Sequence, residues 1–218
     1  MEIYIDTANL NEIKSAAELL ILDGVTTNPS ILAKQAKVPK EILSEINALV
    51  DGKVWYQVVS EHADEMYQEA MDIVEVLDHP VIKLPMGPEA LKACKALSRQ
   101  KVETNITLVY SASQALLASK SGATYVSPYV GRMNDIGWSG YKLIEEIVTL
   151  FTAQGMATKV IGASLRSNQD IIEMGMLGAK AVTMPYRVLL QMLGHPMSDK
   201  GLTQFQKDWQ GYQERLGE

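Results

Sequence analysis

Val81-Ile82-Lys83-Leu84-Pro85 places one charged residue inside an otherwise apolar run of strand length. A short apolar run closed by proline reads as a strand buried between helical layers. An ammonium group is rarely put there. Stripping its hydration costs far more than apolar neighbours return, unless the group is paired or gives up its proton. Desolvation lowers a lysine pKa, and the neutral amine is the form that condenses with a carbonyl to make a Schiff base. Lys83 is therefore the candidate covalent catalyst. A lone lysine at a strand end more often snorkels to water or pairs with a carboxylate, so its surroundings must decide.

Those surroundings are a strict alternation of short β-rich runs and longer helical patterns. Strands are predicted at 3–6, 24–28, 54–59, 81–85, 102–107, 125–130, 159–164 and 181–185, and helices at 9–22, 63–77, 89–99, 111–121, 141–154 and 168–176. The helical stretches repeat apolar residues at spacings of three and four, and each is long enough to cross back over a parallel sheet. Gly24, Gly122 and Gly178 stand where a glycine stop is expected between helix and strand. The pattern predicts an α/β fold, a closed (β/α)8 TIM barrel, near the short end of the usual size. An open doubly wound sheet would concentrate polar groups at one switch point and carry a glycine-rich turn after its first strand; Asp6-Thr7-Ala8-Asn9 is no such turn.

In a barrel, reactive residues come from the C-terminal ends of many strands. Here the ends present Asp6, Thr26 with Asn28, Gln57, Lys83, Asn105 with Thr107, Tyr129 with Arg132, and Ser164 with Arg166. Only the eighth lacks an obvious reactive group. Imine chemistry moves protons at several steps. Asp6 is suited to shuttling them, or else to capping the helix that follows. Tyr129 offers a phenol to a developing alkoxide, unless it is merely a core aromatic. Gln57 is suited to orienting a water. Thr26, Asn28, Asn105 and Thr107 are neutral groups fit to bind sugar hydroxyls, although such residues often only satisfy loop backbone. Arg132, Ser164 and Arg166 form a candidate phosphate site, because arginine's planar fork suits bidentate contacts. The alternative for the arginines is a surface ion pair.

Composition narrows the function. The chain has 218 residues, 47% of them hydrophobic and 21% charged, without a linker-like or low-complexity tract, which fits one barrel domain at 1–198. A formal charge of -6 argues against a general grip on nucleic acid. The N-terminus shows no signal-peptide pattern and no apolar run reaches spanning length, so a cytoplasmic protein without membrane association is expected. The single cysteine, Cys94, lies in a helical pattern and reads as an inert core thiol. His62, His79 and His195 show no metal-ligand spacing, so no metal is expected. Residues 199–218 form an extra C-terminal helix whose Leu202, Phe205, Trp209, Tyr212 and Leu216 make one apolar stripe. That stripe must be covered, by its own barrel or by a neighbouring subunit.

Gly24-Val25-Thr26-Thr27-Asn28-Pro29-Ser30, Val81-Ile82-Lys83-Leu84-Pro85, Asn105-Ile106-Thr107-Leu108, Ser127-Pro128-Tyr129-Val130-Gly131-Arg132 and Gly162-Ala163-Ser164-Leu165-Arg166 together resemble the small transaldolase-like family, which includes the fructose-6-phosphate aldolases. The resemblance implies a (β/α)8 barrel, no cofactor, and a Schiff base at Lys83. It implies that Asp6 and Asn28 hold donor hydroxyls and aid proton transfer, while Arg132, Ser164 and Arg166 hold an acceptor phosphate. It also implies a homo-oligomer, a pentamer or decamer, with the terminal helix laid across a neighbour. Transaldolases of the family typically carry Phe at the position of Tyr129 and Glu at that of Gln57, and fructose-6-phosphate aldolases resemble this chain at both. Asn105 and Arg166 look more like transaldolases. The expected activity is cleavage of fructose 6-phosphate to dihydroxyacetone and glyceraldehyde 3-phosphate, and its reverse. Transfer of the dihydroxyacetone unit between sugar phosphates is the alternative. Rival readings of other kinds are a metal-dependent aldolase and a non-catalytic phosphosugar-binding barrel.

Overall fold

The computed structural model describes residues 1–217. Its strands are β1 (Glu2–Asp6), β2 (Gly24–Thr26), β3 (Lys53–Gln57), β4 (Pro80–Pro85), β5 (Glu103–Val109), β6 (Tyr125–Pro128), β7 (Lys159–Gly162) and β8 (Ala181–Met184). They pair in chain order, all parallel, and close as β8 bonds β1. The (β/α)8 barrel expected from the alternation is the fold. Helices α1 (Leu10–Ala17), α2 (Pro29–Leu32), α3 (Pro39–Asn47), α4 (Ala63–Val74), α5 (Pro88–Arg99), α6 (Ala112–Lys120), α7 (Val130–Asp135), α8 (Gly140–Ala153), α9 (Asn168–Met176), α10 (Tyr186–Leu193) and α11 (Pro196–Leu216) follow the strands. The apolar faces of α1 to α10 pack on the outer side of the sheet to form the main core.

Several boundaries differ from the sequence pattern for local reasons. The helix predicted at 9–22 ends at Ala17, and Leu20 takes a positive φ of 56°, so the chain turns before β2. Gly24 is therefore not a helix stop but the first residue of β2, with φ +146° and Lys53 so near that an added Cβ would lie 1.9 Å from the Lys53 carbonyl oxygen. Gly122 and Gly178 do follow helices, at φ +92° and +87°. The segment between β2 and β3 holds α2 and α3, each with proline in its first turn, a start signal the apolar spacing does not carry. The terminal helix begins at Pro196 rather than 199, capped by His195, whose side chain accepts from the Met197 N–H.

Strand register sorts the inward side chains into layers, each drawn from alternate strands. At the N-terminal end lie Glu2, Lys53, Glu103 and Lys159, two carboxylates and two ammonium groups that pair as Lys53–Glu103 and Lys159–Glu2, both at 2.5 Å. Above them come Gly24, Val81, Tyr125 and Ala181, and above these Tyr4, Trp55, Asn105 and Ile161. The Trp55 ring sits between Tyr4 and Tyr125, with centroids 5.0 and 4.8 Å away. The two phenols both donate to Glu2 Oε2, at 3.0 and 2.8 Å. Aromatic packing on an ionic base thus seals the lower end, and polar groups are left facing only the opposite mouth.

Helix α11 has no buried residue among the described ones, and its stripe faces outward, with Phe205 71% and Trp209 60% exposed. Docking on its own barrel, one of the two expectations for this helix, is therefore excluded. Among the described residues no helix is long and apolar enough to cross a membrane.

The close approach at Gly24 makes a direct prediction. Gly24→Ala forces both an unfavourable φ and a backbone collision, and is expected to cost about 2 kcal/mol or more. Urea denaturation should show a lower midpoint at unchanged m-value; an unchanged midpoint would contradict this account of β2.

Candidate active site

A cavity of about 360 Å³ opens at the C-terminal mouth of the barrel, where the inward layers become polar. Its deep wall includes Trp55, Asn105 and Ile161; the next layer is Thr26, Lys83, Ser127 and Thr183; above it stand Asp6, Gln57, Thr107 and Ala163. Asn28, Tyr129, Arg132 and Ser164 complete the rim. Every residue proposed from the sequence except Arg166 lines this one space. A larger, more open hollow of about 720 Å³ lies on the opposite face, near Asp23, Lys53 and His79, away from these groups.

Lys83 is 6% exposed and forms no ion pair among the described residues. Its Nζ donates to the Thr27 carbonyl oxygen at 2.7 Å. Burial drives its pKa below the ordinary lysine value, and the Asp6 carboxylate opposes that shift only in part. Asp6 is its counterpart: burial pushes the carboxyl up, while Lys83 and the Thr26 hydroxyl pull it back. Thr26 Oγ1 donates to Asp6 Oδ1 at 2.9 Å and also lies 2.6 Å from Thr183 Oγ1. The helix after β1 is capped by Asn9, not by Asp6, so the carboxyl is free to face the cavity.

The other groups are held in similar ways. Asn28 caps α2, its Oδ1 accepting from the Ile31 N–H at 3.0 Å, which leaves the amide NH2 as the available donor. Thr107 Oγ1 donates to the Tyr129 hydroxyl at 3.2 Å, and burial raises the Tyr129 pKa, so the phenol keeps its proton at neutral pH. The Gln57 side chain has no hydrogen-bond partner in the fold among the described residues, though it borders the same space. Strand β5 carries a register shift between Ile106 and Val109, with Leu108 at φ 58°, just where Thr107 turns to the cavity.

The rim across β6 and β7 is tightly built. Gly131 N–H donates to the Ser164 carbonyl oxygen at 3.1 Å, and a Cβ at Gly131 would lie 2.3 Å from that oxygen. Ser164 itself has φ 59°, the kind of local strain that clusters at functional sites. Arg132 is exposed, lines the cavity, and its side chain makes no hydrogen bond or ion pair among the described residues. Arg166 behaves differently. Its guanidinium is engaged at both ends by Asp135 of α7, at 2.7 and 2.6 Å, outside the cavity lining. The structure thus brings Arg132 and Ser164 together and turns the Arg166 fork to a carboxylate, as the surface-pair alternative allows. His62, His79 and His195 lie outside the cavity lining.

Trp55, Ser127 and Thr183 also border the cavity and were not singled out from the sequence. Trp55 and Ser127 precede Gln57 and Tyr129 by two residues, so strict period-two counting back from each strand end would have found them.

The match to a known family model decides what this constellation belongs to. Residues 3–216 match the model described as transaldolase/fructose-6-phosphate aldolase. The chain belongs to that family. Relatives named "Probable transaldolase" include one from Clostridium kluyveri, 48% identical over 96% of this chain and 98% of its own length, and one from Moorella thermoacetica, 49% identical with the same coverage. Among solved structures, an orotidine 5'-monophosphate decarboxylase from Methanocaldococcus jannaschii superposes with a TM-score of 0.58 at 12% identity, covering 84% of this chain and 87% of that one. A mandelate oxidase mutant gives 0.59 at 14% identity, covering 84% and 63%. These share the barrel. Family membership makes the chain a transaldolase or aldolase-type enzyme, in keeping with the motifs from its second strand to its seventh.

Because the Asp6 charge favours the protonated amine, its loss should lower the Lys83 pKa further. In Asp6→Asn, the pH dependence of reductive methylation at Lys83 should move to lower pH than in the unaltered protein. No shift, or a shift to higher pH, would show that the Asp6 charge does not support the protonated amine.

Proposed function

We propose that this enzyme is a Schiff-base aldolase that cleaves fructose 6-phosphate to dihydroxyacetone and glyceraldehyde 3-phosphate, and runs the reverse addition. The observation that carries the proposal is a buried lysine with a depressed pKa and no bonded carboxylate, at the centre of a polar cavity. Neutral Lys83 attacks the keto carbon, the carbinolamine hydroxyl takes a proton from the Asp6 carboxyl and departs as water, and a protonated imine forms. Asp6 takes the proton of the hydroxyl on the carbon beyond the scissile bond, that C–C bond breaks, and its electrons pass into the imine to give an enamine. Glyceraldehyde 3-phosphate departs. The enamine is then protonated on carbon, water adds to the imine, and dihydroxyacetone leaves the restored amine. Tyr129, Thr107 and Gln57 border the space where that water would sit, and Arg132 with Ser164 is the proposed seat of the phosphate. The proposed reaction uses no cofactor.

Transfer of the dihydroxyacetone unit to a second aldehyde is the other reading, favoured by the names of the relatives. The neutral phenol of Tyr129 beside Thr107 favours hydrolysis, since a donor near the enamine helps to protonate and release it. Product assays with fructose 6-phosphate, with and without erythrose 4-phosphate, separate the two. Free dihydroxyacetone should form without acceptor, and Lys83→Met should abolish it. Turnover only when acceptor is present would assign the enzyme to transfer.

We further propose that the exposed stripe of α11 packs on another copy of this chain, making a ring-like homo-oligomer in the cytoplasm. Light scattering should give a mass several times 24.0 kDa. Phe205→Glu combined with Trp209→Glu should lower that mass, and an unaltered protein that is monomeric at micromolar concentration would contradict this assembly.

A further inference from the structure

Arg166 stands at the edge of the proposed phosphate seat but faces away from it. Gly131 has no Cβ, and the point where one would lie is 2.9 Å from Ser164 Oγ and 3.0 Å from Arg166 Nε, so the serine hydroxyl and the root of the guanidinium crowd the same spot. Ser164 and Arg132 line the cavity, whereas the far end of the Arg166 fork is bound by both carboxylate oxygens of Asp135. The cation is at the rim, and an internal anion occupies it. The Asp135 carboxyl is held below the usual carboxylate range by Arg166 first, with the Arg132 charge contributing, so it lies in the field of both arginines.

The two partners are held differently. The Arg166 backbone N–H donates to Asp170 Oδ2 at 2.7 Å, and the other Asp170 oxygen accepts from the Tyr141 hydroxyl at 2.5 Å, so the arginine main chain is pinned while its side chain is not. Asp135 ends α7, and the turn after it is tied by the Gly140 N–H donating to Asn134 Oδ1 at 3.0 Å. The short aspartate is thus fixed, and the long arginine is the group able to move. A carboxylate at a helix C-terminus meets the unfavourable end of the dipole, so α7 itself gains nothing from Asp135. The side chains of the pair are 52% and 46% exposed, and exposed ion pairs are weakly held. A phosphate monoester near neutral pH carries up to two negative charges and three acceptor oxygens, and at this rim it would also meet Arg132 and Ser164. Such an anion outcompetes a single carboxylate.

We infer that Asp135 is a positioning residue that competes with phosphate for Arg166, and thereby sets how strongly the enzyme prefers phosphorylated to unphosphorylated aldehydes. This role rests on the phosphate seat proposed at Arg132 and Ser164. In the unliganded enzyme Asp135 keeps the guanidinium outside the cavity, so an unphosphorylated aldehyde meets Arg132 as the one arginine of the seat. A phosphorylated aldehyde displaces the carboxylate and brings Arg166 inward beside Ser164. Part of its attraction to Arg166 is offset by separating the ion pair, and the preference is smaller than two unengaged arginines would give.

The exchange is read by adding dihydroxyacetone to glyceraldehyde 3-phosphate and to glyceraldehyde, and taking the ratio of the two kcat/KM values. Asp135→Asn should raise this ratio about fivefold, the scale of an exposed ion pair, through a lower KM for the phosphorylated aldehyde. Asp135→Glu, which keeps the charge, should return it toward the unaltered value, and Arg166→Gln should lower it. In the Arg166→Gln background, Asp135→Asn should no longer raise it. Calorimetric titration with inorganic phosphate should follow the same order of affinities, which reads the exchange even in a variant that turns over slowly. A ratio unmoved by Asp135→Asn overturns the inference, as does an equal rise in the Arg166→Gln background, which would assign the effect to the lost charge alone. Equal use of both aldehydes by the unaltered enzyme, with no change in Arg132→Gln, would instead show that the phosphate reading of the rim fails first and takes this inference with it.

Discussion

Lys83 is buried in the barrel at the edge of the cavity, and its amine is bonded to a backbone carbonyl oxygen rather than to a carboxylate. A bonded carboxylate would hold the proton in place and make the amine inert. A fully exposed amine would keep its ordinary pKa and be protonated at neutral pH. Burial without a tight counter-ion avoids both outcomes, and Asp6 acts on the amine through its charge without forming a salt bridge.

The layering of the barrel explains how this isolation is maintained. The chain has other inward charges, but Glu2, Lys53, Glu103 and Lys159 are gathered at the N-terminal end and neutralise one another there. The Tyr4 and Tyr125 hydroxyls bond into that cluster, and the Tyr4–Trp55–Tyr125 stack lies between it and Lys83. The Trp55 ring thereby separates the lysine from the ionic base.

Much of this was legible in the sequence because it follows from period and residue type. Apolar runs alternating with helical patterns specify a barrel, and a lysine inside such a run is conspicuous. Strand-end polar residues such as Asp6, Gln57, Thr107 and Tyr129 can be read directly, and they do converge. What the sequence conceals depends on tertiary approach. Nothing local says that Arg166 finds Asp135 across 31 positions, that Gly24 is needed for its contact with Lys53 rather than as a helix stop, or that the α11 stripe is left uncovered. Trp55 looks like an ordinary core residue until the register shows that it lies on the strand beside the one carrying Lys83.

The central claim is that the unpaired buried amine of Lys83 bonds covalently to a ketone. The most direct test is incubation with dihydroxyacetone and borohydride followed by peptide mass mapping. The account predicts one reduced three-carbon unit, located on the peptide containing Lys83 and absent from Lys83→Met. An adduct on another lysine, or one that persists when Lys83 is replaced, would contradict it.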